Sequence, residues 1–382
     1  METAARWPAV IAVMMGIFAI VTTEILPIGL LTSIGADFTV SDGMAGLMMT
    51  MPGLLAAVAA PLVTAATARF DRRMMLCAFI LLLAVANFMA AAATGYWVLL
   101  ASRVLVGLTI GGFWSIGAGL ASRLVPAAST ARAAAVIFSA VPLGSVLGVP
   151  AGTLIGQFAG WRTAFVVLGI LSAAVLAALL LTLPALPPAQ ATRLGLLGRT
   201  LKHTGTRFAL AATFLIVLAH FGAYTYITPF LEQVTGAGPA VVTGALLVYG
   251  VAGIAGNLVC GTAVARWPRA TFGATAGVIA AGTVLLPVLG QDLGGAIALL
   301  VLWGAAYGGV PVCSQTWFAR AAANPEVAGV LFTASFQATI SLGALLGGAV
   351  VDRGSPSAVM VLGGLTASLA VLVVAAYRPQ TR

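Results

Sequence analysis

Twelve apolar runs, each long enough to cross a bilayer, constrain this chain of 382 residues more than any other feature. A helix spans the hydrocarbon in about 20 residues, and continuous apolar runs fall at about 8–31, 43–66, 74–93, 98–121, 133–156, 163–183, 208–231, 240–263, 270–290, 295–318, 327–350 and 356–377. Polar or Pro/Gly-containing breaks separate them. The runs do not alternate with period two, which excludes a transmembrane β-barrel. The first run is too long for the apolar region of a cleavable signal, so we read it as a span. Composition agrees: 61% of residues are hydrophobic, 7% are charged and the mean hydropathy is +1.11. Soluble domains carry about 25% charged residues, so a soluble enzyme and a disordered protein are both excluded. The formal charge of +9 comes without a basic helix or an aromatic-basic face, and we expect no nucleic-acid partner.

The basic residues give an orientation. With the N-terminus inside, 15 of the 18 Lys and Arg fall in inner segments; Arg162 and Arg353 fall outside and Arg103 lies within a span. The inner segments then hold 3 acidic residues and the outer ones 5. What looks like a basic protein is an insertion signal. The expected location is a bacterial inner membrane, with both termini cytoplasmic and the lipid bilayer as solvent. Cys77, Cys260 and Cys313 lie within or at the edge of spans and read as small apolar side chains. No cofactor or metal site is expected.

The longest polar break, 184–207, holds Pro184, Pro187 and Pro188 and then four basic residues. It divides the chain into an N-terminal six-helix bundle (1–183), a cytoplasmic linker (184–207) and a C-terminal six-helix bundle (208–382). An internal repeat supports the division. Thr64-x3-Ala68-Arg69-x2-Arg72 recurs as Gly261-x3-Ala265-Arg266-x2-Arg269 at an offset of 197 residues. The same offset carries Gly107, Gly111 and Gly112 onto Gly304, Gly308 and Gly309, and Arg123 onto Arg320. In span 5, Leu143-Gly144 and Gly148 correspond to Leu342-Gly343 and Gly347 at an offset of 199.

These features, with Thr23-Glu24-Ile25-Leu26-Pro27-Ile28-Gly29-Leu30, Arg103-x3-Gly107-x3-Gly111-Gly112 and Gly160-Trp161-Arg162-Thr163-Ala164-Phe165, carry a resemblance. The chain resembles the twelve-span drug:proton antiporter branch of the major facilitator superfamily, particularly bacterial sugar, nucleoside and chloramphenicol exporters. The resemblance implies an all-α integral membrane protein with twelve transmembrane helices in two pseudo-symmetric six-helix bundles. Two departures stand out. The family's loop pattern G-x-x-x-D-R-x-G-R-R here has Thr64 for Gly, Ala68 for Asp and Asp71 for the second Gly. The expected loop latch is therefore Arg69, Asp71 and Arg72, with Arg266 and Arg269 in the second half, and Asp71 is the candidate substitute for the missing acid. Span 5 reads Gly148-Val149-Pro150-Ala151-Gly152 without an adjacent G-P pair.

Glu24 is the most informative residue. An ionised carboxylate in hydrocarbon costs several kcal/mol, so intramembrane acids usually face a cavity and work. Glu24 and Arg103 sit roughly 10 Å and 8 Å from the expected outer ends of their spans, and we expect them to meet or share a polar network. Burial and a neighbouring Arg pull a carboxyl's proton affinity in opposite directions, and alternating between them would load and release a proton. A static packing pair is the competing reading. His220, midway along span 7, suits proton exchange near neutrality; it equally suits packing or substrate contact. Expected substrate contacts are Tyr224, Tyr226, Asn257, Gln337, Trp114 and Trp303, though amides in spans also tie helices together. The glycine stripe of span 5 with its two prolines, Pro142, Gly144, Gly148, Pro150 and Gly152, is the expected hinge.

The leading expectation is a monomeric proton-coupled exporter of small neutral or weakly charged molecules by alternating access. The missing loop Asp leaves room for a uniporter or importer of sugars or nucleosides. No carboxylate pair, His cluster or activated nucleophile points to an enzyme, and no G-x-x-x-x-G-K-[ST] loop supports ATP-driven pumping.

Overall fold

The computed structural model describes residues 6–66, 70–117, 120–187, 204–321 and 325–377. Arg69 and residues 188–203 of the expected linker lie outside this set. Among the described residues every α-helix and 3-10 turn belongs to one all-α plan, and twelve helices are long and apolar enough to cross a membrane. The protein is a multi-pass membrane protein with the fold expected from its sequence.

The chain forms two compact units, 1–30 with 51–191, and 31–50 with 192–382. The first contains most of α1 (Trp7–Phe38) and α2 (Asp42–Ala66), then α3 (Arg72–Ala91), α4 (Tyr96–Gly117), the short α5 (Ala121–Leu124), α6 (Thr130–Ala159) and α7 (Trp161–Thr182). Asp71 caps α3 by accepting the Arg73 amide at 2.7 Å, which satisfies one of the amides a helix start leaves without a partner. Gly160, at φ +81°, turns the chain between α6 and α7. That left-handed conformation favours glycine because it has no Cβ. The interior prolines Pro142 and Pro150 leave α6 a single helix.

The glycine stripe of α6 lies on α1. A Cβ on Gly148 would meet Thr22 Cγ2 at 3.0 Å, and one on Gly144 would meet Val21 Cγ1 at 3.0 Å; at Gly152 it would collide with Leu26. Small residues here let two backbones approach closely.

The second unit contains α8 (Thr204–Tyr224), α9 (Ile227–Gln233), α10 (Pro239–Arg266), α11 (Pro268–Leu289), α12 (Leu293–Ala321), α13 (Pro325–Arg353) and α14 (Pro356–Ala376). Proline opens α10, α11 and α14, where its missing N–H costs no hydrogen bond. Span 7 was expected to run unbroken to about 231; instead the helix stops at Tyr224 and restarts at Ile227. Pro229 is the reason, because it cannot donate to the Thr225 carbonyl and its ring clashes there.

This unit also holds the α1–α2 junction, where Thr39 takes φ 51°. Asp352 at the end of α13 accepts the Gly43 amide and the Ser41 hydroxyl, each at 2.8 Å. Thr32 donates to Glu232 at 3.3 Å, and Gln233 to Asp42 at 3.1 Å. The Tyr226 ring fills the space left by Gly46 and Gly348.

The sequence repeat is a repeat of contacts. Gly107 faces the Pro52 carbonyl as Gly304 faces that of Tyr249, and Gly111 faces the Ala56 carbonyl as Gly308 faces that of Gly253. Both members of each pair are displaced by 197 residues. Helix α4 on α2 and helix α12 on α10 are thus one packing solution used twice.

Candidate functional site

In the first unit, polar side chains converge on one residue of α1. Arg103 of α4 is 0% exposed; its Nη1 donates to the Thr23 carbonyl at 3.1 Å and its guanidinium lies 5.0 Å from the Phe165 ring centroid. Its Nε reaches Ser102 Oγ at 3.4 Å, while Nη2 has no acceptor among the described residues. Asn87 of α3, also fully buried, donates from Nδ2 to Thr23 Oγ1 at 3.1 Å. Glu24, the next residue along α1, is buried. Arg103 therefore reaches α1 one residue before the acid, through the backbone. Thr23 is the junction of this network, a role its place in an apolar run does not advertise. Trp114 lies apart, stacked on Phe138 of α6 with ring centroids 6.3 Å apart.

The second unit replaces charge with aromatic rings. His220 and Tyr224 of α8, Tyr249 of α10, and Trp303 and Tyr307 of α12 form one cluster. His220 stacks on Tyr307 at 3.3 Å and on Tyr224 at 5.0 Å, and Tyr224 stacks on Tyr249 at 4.6 Å. Trp303 stands nearly perpendicular to His220, Tyr224 and Tyr249. Its Nε1–H donates to His220 Nδ1 at 3.1 Å. An indole N–H can only donate, so Nδ1 carries a lone pair and the imidazole proton sits on Nε2. In this arrangement His220 is neutral. Tyr249 and Tyr307 escaped the sequence reading because each is a lone tyrosine in an apolar run. The available signal was numerical: of six tyrosines, four lie between 224 and 307.

Other expected site residues have structural partners. Trp303 is 0% exposed and backs the cluster. Tyr226 is equally buried and donates to the Ala344 carbonyl at 2.7 Å. Asn257 donates to the Gly308 carbonyl at 2.9 Å, tying α10 to α12. Gln337 is buried on α13.

The expected latch residues are similarly engaged. Asp71 accepts the Leu186 amide at 2.9 Å as well as that of Arg73, and the Arg72 amide donates to the Leu186 carbonyl at 2.9 Å. One carboxylate oxygen thus caps α3 while the other holds the segment after α7 against its start. Arg269 donates to the Val374 and Ala375 carbonyls at the end of α14, where a cation also complements the helix dipole. Arg266 ends α10 and is exposed.

Comparison with known proteins identifies the family. The profile of the family described as Major Facilitator Superfamily matches residues 10–335. The chain is 34% identical over 381 residues to the transcription regulatory protein OpdE of Pseudomonas aeruginosa, covering 98% of this chain and 94% of that one. It is 31% identical over 372 residues to the purine ribonucleoside efflux pump NepI of Salmonella paratyphi A, covering 97% and 94%. Among solved structures it resembles a bacterial homologue of the human lysosomal transporter Spinster, with a TM-score of 0.77 at 16% identity over 98% of this chain and 97% of that one. That last likeness is one of fold.

Proposed function

The chain belongs to the Major Facilitator Superfamily, and we propose that it is a proton-coupled exporter of small neutral or weakly charged molecules, with purine nucleosides the first class to test. It is a transporter and not an enzyme. The observation that carries the reading is Arg103, fully buried and bonded to α1 at Thr23, the residue before Glu24. A protonated Glu24 is neutral and tolerates burial; once ionised it needs a cation or water. Arg103 Nη2 has no acceptor among the described residues and can turn to the carboxylate when the proton leaves. On this reading the first unit handles the proton, and the neutral aromatic cluster of the second offers contacts to a substrate without charge. The purine class enters from the named activity of the relative that is 31% identical. The protein then works as a monomer by alternating access in a bacterial inner membrane, both termini cytoplasmic.

The test uses inverted vesicles energised with a proton gradient. Wild-type protein is expected to accumulate labelled nucleoside and to lose the accumulation when the gradient is dissipated. Glu24→Gln is expected to fold and to lose gradient-driven transport while retaining exchange. Gradient-driven transport at the wild-type rate in Glu24→Gln would refute the assignment. Asp71 favours a second reading, a uniporter or importer, because its carboxylate is committed to Leu186 and Arg73. Equilibration without accumulation would support it.

A further inference from the structure

One polar atom in the aromatic cluster lacks a counterpart. Tyr249 is 6% exposed, and its hydroxyl is buried with no hydrogen-bond partner among the described residues. Buried polar groups are overwhelmingly hydrogen-bonded, and an exception calls for an explanation such as a ligand. The rest of the cluster shows what kind of ligand. Its rings stack on one another, with His220, Tyr224 and Tyr249 inclined to one another by 17–24°, and Tyr307, stacked on His220, is the least buried of them. Trp303 holds His220 neutral, so no charge in the wall selects an ion. Trp303 itself is fully buried behind the wall and sets its orientation.

We infer that His220, Tyr224, Tyr249 and Tyr307 form a binding site for a planar heteroaromatic ring with a hydrogen-bonding edge, such as a nucleobase, and that the Tyr249 hydroxyl reads that edge. The inference deepens the proposed function and rests on it for transport, but not for binding. Stacking accepts any flat ring. The hydroxyl adds the preference for a ring with a donor or acceptor at its rim, because an unmatched buried hydroxyl is penalised. A free sugar offers the wall no flat π-face.

Equilibrium binding of labelled adenosine to the purified full chain, with adenine and ribose as competitors, tests the site. Adenosine is expected to bind and adenine to compete, with ribose failing. Tyr249→Phe keeps the ring and removes the hydroxyl, so adenosine is expected to bind about 5–10-fold more weakly. Without ligand the same variant is expected to melt no lower than wild type, since it removes an unpaired polar atom. Equal affinity in Tyr249→Phe would overturn the inference, as would competition by ribose, a lowered melting temperature, or wild-type protein that binds neither adenosine nor adenine. Adenosine efflux from the same preparation separates the two claims. Binding without export refutes the proposed function alone, whereas export unaffected by Tyr249→Phe refutes this site alone.

Discussion

Asp352 caps the first turn of α2 from the far end of the chain: its carboxylate accepts the Gly43 amide and the Ser41 hydroxyl, each at 2.8 Å. Helix starts leave amides without intrahelical partners and favour negative charge, and Asp352 supplies both an acceptor and a charge. Gly43 is required for the approach, since a Cβ there would sit 2.5 Å from the Gly348 carbonyl. Loss of a capping side chain costs about 0.5–2 kcal/mol. Asp352→Ala is expected to lower thermal stability and to raise amide exchange in the first turn of α2. Asp352→Asn should lose less, because its amide oxygen still accepts from Gly43. Unchanged exchange in both variants would show that the contact contributes nothing.

Glu232 should make this junction sensitive to pH. Burial pushes its carboxyl above the ordinary carboxylate range; the Thr32 hydrogen bond offsets part of this, and the like charge of Asp42 adds to it. A carboxyl that binds its proton more tightly when folded contributes stability fully below its unfolded value, about pH 4.3. That contribution is lost as pH rises through the elevated folded value. The melting temperature of wild type is expected to fall more between pH 5 and pH 7 than that of Glu232→Gln, which stays neutral throughout. Parallel pH profiles would eliminate Glu232 as the cause, leaving Asp42, whose carboxyl burial also pushes up.

Two glycines of the second unit should respond oppositely to alanine. At Gly308 a Cβ would collide with the Gly253 carbonyl, a backbone atom that cannot turn aside, whereas at Gly277 nothing lies within 4 Å. Gly277→Ala gains helix propensity, up to about 1 kcal/mol. Gly308→Ala must push α12 off α10, and overpacking of this kind typically costs about 1–3 kcal/mol. Thermal melts of the two variants should therefore move in opposite directions; a neutral Gly308→Ala would mean that the helices separate freely.

Asp71 is expected to matter through the chain after α7. Asp71→Ala removes the cap on α3 and the acceptor for the Leu186 amide, and the first loss alone is worth about 1 kcal/mol. Proteolysis within 183–187 should accelerate in this variant, while Asp71→Asn should protect partially. Cleavage at the wild-type rate would remove Asp71 from this role.

Whatever the bilayer or a backbone contact dictates could be read in advance. The apolar runs were legible because hydrocarbon tolerates no other spanning composition, and Gly107, Gly111, Gly304 and Gly308 were legible because each faces a carbonyl that excludes a side chain. Asp71 stood out in the sequence as a latch residue, whereas its use as the cap of α3 emerges only from the structure. The break at Thr225–Tyr226 was missed because Pro229, which removes the bond to the Thr225 carbonyl, lies inside a run read as one unbroken span. The residues missed are those whose meaning comes from other helices. Thr23 matters because Asn87 of α3 and Arg103 of α4 both bond to it, and Tyr249 and Tyr307 because α10 and α12 bring them beside His220. No spacing along one helix encodes such a meeting.

The bond from Trp303 to His220 yields the last expectation. Trp303→Phe keeps an aromatic ring against His220 but removes the indole donor to Nδ1, leaving a buried acceptor unpaired. Such a loss costs about 1–3 kcal/mol, so the variant should melt below wild type. It should also release the constraint on the proton: the wild-type imidazole is held as the Nε2–H tautomer, whereas the variant is free to place its proton on either nitrogen. Nitrogen chemical shifts of histidine-labelled protein report this directly, because His203 is the only other histidine in the chain. A single Nε2–H tautomer in wild type that becomes a mixture in Trp303→Phe is the expected result. A protonated imidazole in wild type at neutral pH would contradict the hydrogen bond and with it the neutral character of the aromatic wall.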